Sequence, residues 1–380
     1  MNNKTQSGTN HSREFSMQRI VGFPRNLLPL LRCVADSGPL SVCHNGQSDG
    51  VGIFDGTLRC DECSREYQIK DGIVRLMAGT LTQESQHEIT LLDQAYGAMP
   101  ETFAPAASGW RSEFNDRIEI PPHLNLLQLR PGQRVLELGC GDGRFTLLMA
   151  RLGADVLALD FSIAALQRVS NNLLCGVAPT MYEGVPRRPA DALIGHVGLV
   201  QADASNFHVA PRSFERALSA TPLDSRDERM KMYRAVAESL TDDGRYVAGV
   251  EYDDFYRRLF GLPVMRRYTP GGVLIEHLDI PELRRETAAY FSRLRMRLIR
   301  VHLPLMKRLP LSVSVPVARA ASVVPIVKHF AQILLICAQR PVRIPLEGAR
   351  RPGYLGAKNL YRWYKRQRGE EAIWDCGEPV

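Results

Sequence analysis

The stretch Val135–Thr146, VLELGCGDGRFT, decides how this chain is read. An apolar run stops at three alternating glycines, Gly139, Gly141 and Gly143, and the chain resumes with helix-forming residues. A strand–turn–helix of this kind belongs at the carboxyl end of a parallel sheet, where a ligand meets the backbone and a side chain would block its approach. The spacing separates two kinds of ligand. A dinucleotide fingerprint reads G-x-G-x-x-G, with its third glycine letting the helix pack closely on the strand. Here Gly139 and Gly141 fill the first two places, but Arg144 stands in the third and Gly143 comes one residue early. A pyrophosphate favours amides and a helix N-terminus. Glu137 before the turn and Asp142 inside it suit a ligand that carries positive charge. Cys140, between two glycines, reads as a small packing residue rather than a nucleophile.

Outward from this turn the pattern is β/α. RVLELG (134–139) reads as a buried strand and RFTLLMARLG (144–153) as a helix stopped by Gly153. ADVLALD (154–160) is a second strand, and SIAALQRVSNNLL (162–174) a second helix with Ser162 as its N-cap. VGLVQAD (197–203) and FERALSA (214–220) supply two more strands. RDERMKMYRAVAESLTDDG (226–244) is a helix with its stop, and RYVAGVEY (245–252) a fifth strand. LRMRLIRVHL (294–303) and AQILLICAQR (331–340) are two late strands, separated by a proline-containing insert. Such alternation calls for an α/β fold, a parallel sheet with helices on both faces.

These residues resemble the class I S-adenosylmethionine (SAM)-dependent methyltransferases, whose first motif is the E-x-G-x-G-x-G of Glu137 to Gly143. Asp160 ends the second strand, about 20 residues on, where a carboxylate takes both ribose hydroxyls. QADAS (201–205) resembles the family's third motif, which implies that Asp203 holds the adenine amino group. By the same resemblance Ala204 meets an adenine ring nitrogen through its backbone, and Phe161 packs on the ring. LTDDGRYVAGV (240–250) is similar to the family's L-x-P-G-G-x-hydrophobic segment, with Asp243-Gly244 replacing Gly-Gly. The likeness runs from about Tyr96 to Pro341. It implies a seven-stranded Rossmann-like sheet with an antiparallel last strand. The implied cofactor set is Glu137, Gly139, Cys140, Gly141, Asp142, Gly143, Asp160, Phe161, Asp203, Ala204 and Ala220.

Ahead of this lies a small β-rich block. LLRCVADSGPL (30–40) followed by LRCDECSREYQIKDGIVRL (58–76) resembles the Trm112-like zinc-ribbon module. The C-x₂-C pair Cys60 and Cys63 has the spacing at which two thiolates reach one tetrahedral zinc. Cys33 is the third candidate ligand, but Asp36 stands where the family has its fourth thiolate. Asp36, Cys43 or His44 would have to complete the set; otherwise the site has decayed and the module folds on its core. The missing thiolate tilts the reading toward decay.

The 380 residues are 44% hydrophobic and 23% charged, with a mean hydropathy of −0.18, enough to bury a core. The organisation expected is a disordered tail (1–16), the ribbon-like module (17–80) and a linker with cofactor-covering helices (81–123). The SAM-binding core (124–255), an acceptor-side insert with the last two strands (256–345) and a basic tail (346–380) follow. The polar start MNNKTQSGTNHSREF has no signal-peptide h-region, and the eight cysteines are scattered, so a reducing, cytoplasmic location is expected. The longest apolar stretch, Leu309–Val327, is broken by Pro316, Arg319 and Pro325 and does not read as a membrane span.

The net charge of +7 is uneven: residues 281–370 hold nineteen Lys/Arg against four Asp/Glu. Three surfaces could use it. The insert RYTPGGVLIEHLDIPELRRETAAYF (267–291) resembles the acceptor-covering segment of enzymes acting on secondary metabolites, sugars and quinones. That implies a small-molecule, glycan or lipid-linked acceptor. KNLYRWYKRQRG (358–369) mixes aromatic and basic residues as an RNA-binding surface does. The apolar-basic stretch Arg293–Arg343 would suit peripheral membrane contact. A SAM-binding scaffold without catalysis is the third reading. No general base is legible, although His277, Asp224, Glu251 and Tyr252 stand on the acceptor side. Oligomeric state is not legible.

Overall fold

The computed structural model describes residues 22–77, 82–100, 109–175, 195–220, 223, 225–252, 266–268, 274–276, 280–303, 305–325 and 327–343. Both expected tails, His277 and Asp224 lie outside them. The N-terminal strands are β1 (Phe23–Pro24), β2 (Leu40–Asn45), β3 (Gly52–Ile53), β4 (Gly56–Cys60), β5 (Glu66–Lys70) and β6 (Ile73–Arg75). Two helices follow, α1 (Gln83–Gly97) and α2 (Trp110–Leu127). Then come β7 (Arg134–Leu138), α3 (Thr146–Arg151), β8 (Asp155–Asp160), α4 (Ile163–Cys175), β9 (Val197–Gln201) and β10 (Phe214–Ser219). The chain continues through α5 (Arg226–Ser239), β11 (Leu240–Glu251), β12 (Arg266–Tyr268), β13 (Leu274–Glu276) and α6 (Ile280–Ala288). It ends in β14 (Phe291–Val301), α7 (Leu311–Ala321) and β15 (Ala331–Pro341).

Eleven of these strands form one sheet, in the order β14-β15-β11-β10-β7-β8-β9-β6-β5-β4-β2. The expected seven strands are therefore part of a longer sheet. From β11 to β9 the neighbours are parallel, and β15 runs antiparallel to both β11 and β14. β7 lies between β8 and β10, so strand order reverses at its carboxyl end, the place where an α/β sheet opens a crevice. Val135 to Leu138 are all buried, because helices cover both faces. On one face α2, α3 and α4 pack over Val135, Val156, Leu199 and Leu335. On the other, α5 and α6 share a core with Leu136, Leu157 and Phe214.

The seam between the N-terminal strands and the rest is β6 against β9. They pair in parallel, Ile73 with Leu199 and Arg75 with Gln201. The amide of Leu76 donates to the carbonyl of Gln201 and that of Ala210 to Leu30. Phe23, Leu27, Leu58 and Tyr67 belong to the same apolar cluster as Leu136 and Phe214. Gly198 makes this closeness possible: a Cβ there would stand 2.9–3.0 Å from Phe23 and Leu27. Gly198→Ala should therefore cost about 1–3 kcal/mol by overpacking, read as a lower urea midpoint. An unchanged midpoint would mean that Phe23 and Leu27 can retreat.

One element departs from the sequence expectations. The helix expected to run to Asp243-Gly244 ends at Ser239, and the strand starts at Leu240, which pairs with Phe214. The irregular register between Phe214 and Arg216 absorbs the extra residues. Helix α2 continues through Pro121 and Pro122. Proline at 121 has no N–H to give the carbonyl of Arg117 four residues back. Arg319 of α7 donates to that carbonyl instead, at 2.9 Å. Among the described residues no helix is long and apolar enough to cross a membrane.

Candidate cofactor-binding site

The turn after β7 needs its glycines. Gly139, Gly141 and Gly143 have φ of 65°, 54° and 89°, a region open to glycine and strained for other residues. Space is short as well. A Cβ on Gly141 would lie 2.8 Å from the Tyr96 hydroxyl at the end of α1, and one on Gly143 would lie 3.0 Å from Val169 of α4. The protein itself crowds these two positions.

Asp160, last in β8, fastens the turn from beside it. Its Oδ2 accepts from the Gly141 amide at 2.7 Å and its Oδ1 from the Ser162 amide at 2.9 Å. Burial pushes its carboxyl up to about 6, against the pull of those amides. Glu137 is fully enclosed in β7 and accepts from the Thr146 hydroxyl at 2.6 Å, at the first turn of α3. Burial lifts it to about 8, and the neighbouring Asp160 adds to the shift. Asp142 is also raised by burial, though Arg168 lies 3.4 Å away. Three carboxylates thus crowd one glycine turn in a setting that disfavours their charged forms. A cation placed there would relieve all three, so the donor set fits a sulfonium and an ammonium.

Cys140 is buried, with its thiol pushed well up by burial, and its amide donates to Leu159 at 3.0 Å. It is a packing residue with no thiolate character. The carbonyl of Phe161 accepts from Gln201 at 3.2 Å, holding the residue after Asp160 against β9. Asp203 follows β9, and its Oδ1 takes both the amide and the hydroxyl of Ser205 at 2.7 Å. Ala204 packs on the core of one face. Ala220 follows Ser219, which pairs with Leu138, and so stands beside the start of the glycine turn. The expected residues thus gather at the carboxyl ends of β7, β8, β9 and β10.

One contributor from α1 has no local signal. Asp93 accepts from the Ser162 hydroxyl at 2.5 Å and the Ala164 amide at 3.1 Å, capping α4 from 69 residues away. Ser162 itself caps the helix through Ala165, as its sequence position suggests.

Residues 135–244 match the family described as Methyltransferase domain. This core is a methyltransferase domain. Among curated relatives, a 64-residue segment is 45% identical to the 23S rRNA (uracil(1939)-C(5))-methyltransferase RlmD of Thiobacillus denitrificans, covering 17% of this chain and 15% of that protein. A 50-residue segment is 46% identical to an uncharacterized methyltransferase, sll0829, of Synechocystis, covering 13% of this chain and 24% of that one. The chain thus spans a quarter or less of each of these relatives. The 1,6-didemethyltoxoflavin-N1-methyltransferase of Burkholderia thailandensis, solved with S-adenosylhomocysteine, aligns over 76% of this chain and 99% of its own, at 15% identity and a TM-score of 0.41. A SAM-dependent methyltransferase of Methanosarcina mazei aligns over 59% and 98%, at 14% identity and a TM-score of 0.40.

Sequence reading sees Arg144 of the methyltransferase domain only as the residue that breaks a dinucleotide fingerprint. In the structure it is half-buried against α2, paired with Asp116 and, at 2.8 Å, with Glu119. Glu119 also pairs with Arg300 of β14 at 2.7 Å, and Arg300 reaches Glu251 at 2.9 Å. Burial opposes ionisation of Glu119, but the two guanidiniums hold it down to about 2. Glu251, named above on the acceptor side, is engaged in this chain of charges.

In the N-terminal strands Cys33, Asp36, Cys60 and Cys63 bring one donor atom each to within 4.8 Å of the others. Cys33 and Cys63 sulfurs are 3.6 Å apart, and the Cys60 sulfur lies 3.4 Å from Asp36. Thiolates on one tetrahedral zinc sit about 3.8 Å apart, given Zn–S bonds of about 2.3 Å. The spacing fits. Of the three candidates for a fourth ligand the structure brings Asp36, while Cys43 instead faces the Thr57 carbonyl.

Proposed function

We propose that this chain is a SAM-dependent methyltransferase acting on a small-molecule, glycan or lipid-linked acceptor. The observation that carries the reading is the cluster of Glu137, Asp142 and Asp160 at the glycine turn, with burial raising all three. SAM, when bound, supplies the methyl group and its thioether leaving group. Asp160 would accept the ribose hydroxyls, and Asp203 the adenine amino group, with Phe161 and Ala204 flanking the ring. The glycines let the turn follow a backbone path at positive φ that would strain other residues. Tyr96 and α1 close over the turn and exclude water, so the chain contributes alignment rather than acid–base chemistry.

An RNA acceptor is the second reading, favoured by the 45% identical segment shared with an rRNA methyltransferase and by the basic C-terminal half. Calorimetry tests the cofactor assignment: SAM and S-adenosylhomocysteine should bind and NAD should not. The ionised form of Asp160 is the better acceptor, and its pKa is raised to about 6. Affinity should therefore climb from about pH 5 to about pH 7, with a proton released at the acid end. NAD binding with no response to SAM would overturn the assignment.

Cys33, Asp36, Cys60 and Cys63 would hold one zinc. This departs from the decay that the sequence favours, because Asp36 joins the three thiols. Protein purified without added metal should carry about one zinc per chain, and a chelator should loosen residues 30–77 first. Well under one zinc would return the module to a metal-free core.

A further inference from the structure

Residues 287–346 contain ten Lys or Arg and no Asp or Glu. The same segment carries most of the exposed apolar surface. Of ten large apolar side chains exposed among the described residues, seven lie between Leu305 and Phe330. Helix α7 explains the pattern. Its inner face, Ser314, Val315, Ala318 and Ala321, is buried, and Val315 and Ala318 pack against Phe114 and Ile118 of α2. Its outer face carries Val313, Pro316, Val317 and Ala320, and the turn beyond adds Val323 and Val324 at helical spacing. Val313, Val317 and Val323 are 44%, 38% and 64% exposed. A surface helix ordinarily turns polar residues outward; this one is apolar on both sides.

Cations frame the stripe. Lys307 and Arg308 precede the helix and are exposed, while Arg319 reaches across to the Arg117 carbonyl of α2. On the sheet face that α7 covers, the edge strand β14 presents Arg293, Arg295 and Arg297 at every second position. Arg295 and Arg297 line a cleft of about 850 Å³ between α2, α7 and β14, whose remaining walls include Ile118, Ile299 and Leu335.

We infer that this face docks on an anionic lipid bilayer, with α7 lying flat in the interface and the arginines against acidic headgroups. Charge decides between occupants. A second copy of the chain would bring ten more cations to the same place, and like charge opposes that pairing. RNA would satisfy the arginines but gains nothing from outward valines, which offer no stacking surface. An acidic membrane surface meets both demands, as in monotopic amphipathic helices. No described helix is long and apolar enough to cross a membrane, so the contact inferred is interfacial. The inference stands apart from the cofactor assignment and holds whatever the acceptor is.

Flotation of the full chain with phosphatidylcholine vesicles, with and without phosphatidylglycerol, tests it. Binding should require the anionic lipid and weaken with salt. The double variant Val313→Asp, Val317→Asp should lower partitioning about ten-fold. Both side chains point outward, so its unfolding midpoint and SAM affinity should match the parent. Arg308→Glu should weaken binding without touching the apolar stripe. Three results would overturn the inference: no flotation, flotation undiminished in the double aspartate variant, or tight salt-sensitive binding of single-stranded RNA by a chain that ignores vesicles. Loss of self-association as the sole effect of the double variant would also overturn it, giving the face to a second copy.

Discussion

Replacing Arg300 with methionine should destabilise the protein by about 3–5 kcal/mol at neutral pH, read from urea or thermal unfolding. Arg300 bridges Glu119 at 2.7 Å and Glu251 at 2.9 Å, and all three are buried. Removing the guanidinium leaves Glu251 in a low-dielectric setting without this partner and Glu119 with one cation instead of two. The pH dependence identifies the cause. In the parent, Glu119 is held at about 2, below its ordinary 4.5, so its contribution is present above about 4.5 and fades as the pH falls toward 2. The deficit of Arg300→Met should shrink over the same window, because protonated carboxyls no longer need the guanidinium. Adding Glu251→Gln should recover part of the loss. A deficit independent of pH, with no recovery in the double variant, would assign the effect to lost packing.

Asp160→Ala should weaken SAM binding by about 1.5–3 kcal/mol, roughly 10- to 150-fold, in calorimetry at neutral pH. The substitution removes the acceptor for the ribose hydroxyls and also the carboxylate that holds the Gly141 and Ser162 amides. The two contributions separate in Asp160→Asn, whose single carbonyl oxygen can keep one amide while the anionic charge is lost. The pH dependence of binding should flatten in both variants. Unchanged affinity in a folded Asp160→Ala protein would remove this residue from the site.

Local features were legible because their causes are local. Three glycines at φ values that strain other residues, a serine at a helix start and a carboxylate at a strand end each leave a signature within a few positions. What escaped reading depends on distant partners. Helix α2 runs through Pro121 and Pro122, and Arg319, about 200 residues later, supplies a donor to the Arg117 carbonyl that proline leaves free. Arg144 reads as a defect in a motif until α2 is seen to bring Asp116 and Glu119 to it. Asp93 caps α4 with nothing nearby to announce it. The fourth donor beside the three cysteines is open in the sequence among Asp36, Cys43 and His44, because only the folded turn before β2 brings Asp36 to Cys60.

The seam between β6 and β9 also sets a timetable. Ile73 must find Leu199, and the intervening stretch of about 125 residues has to leave the ribosome first. At about 5–20 residues per second, β6 waits roughly 6–25 s for its partner. During that interval the newborn N-terminal strands present an unpaired edge, and the apolar faces of Phe23 and Leu27 have no β9 to rest on. Secondary structure on one side of the seam can form early, but the finished sheet is post-dated. This chain therefore depends on nascent-chain protection for far longer than a protein built only from hairpins, whose strands meet as soon as they are made.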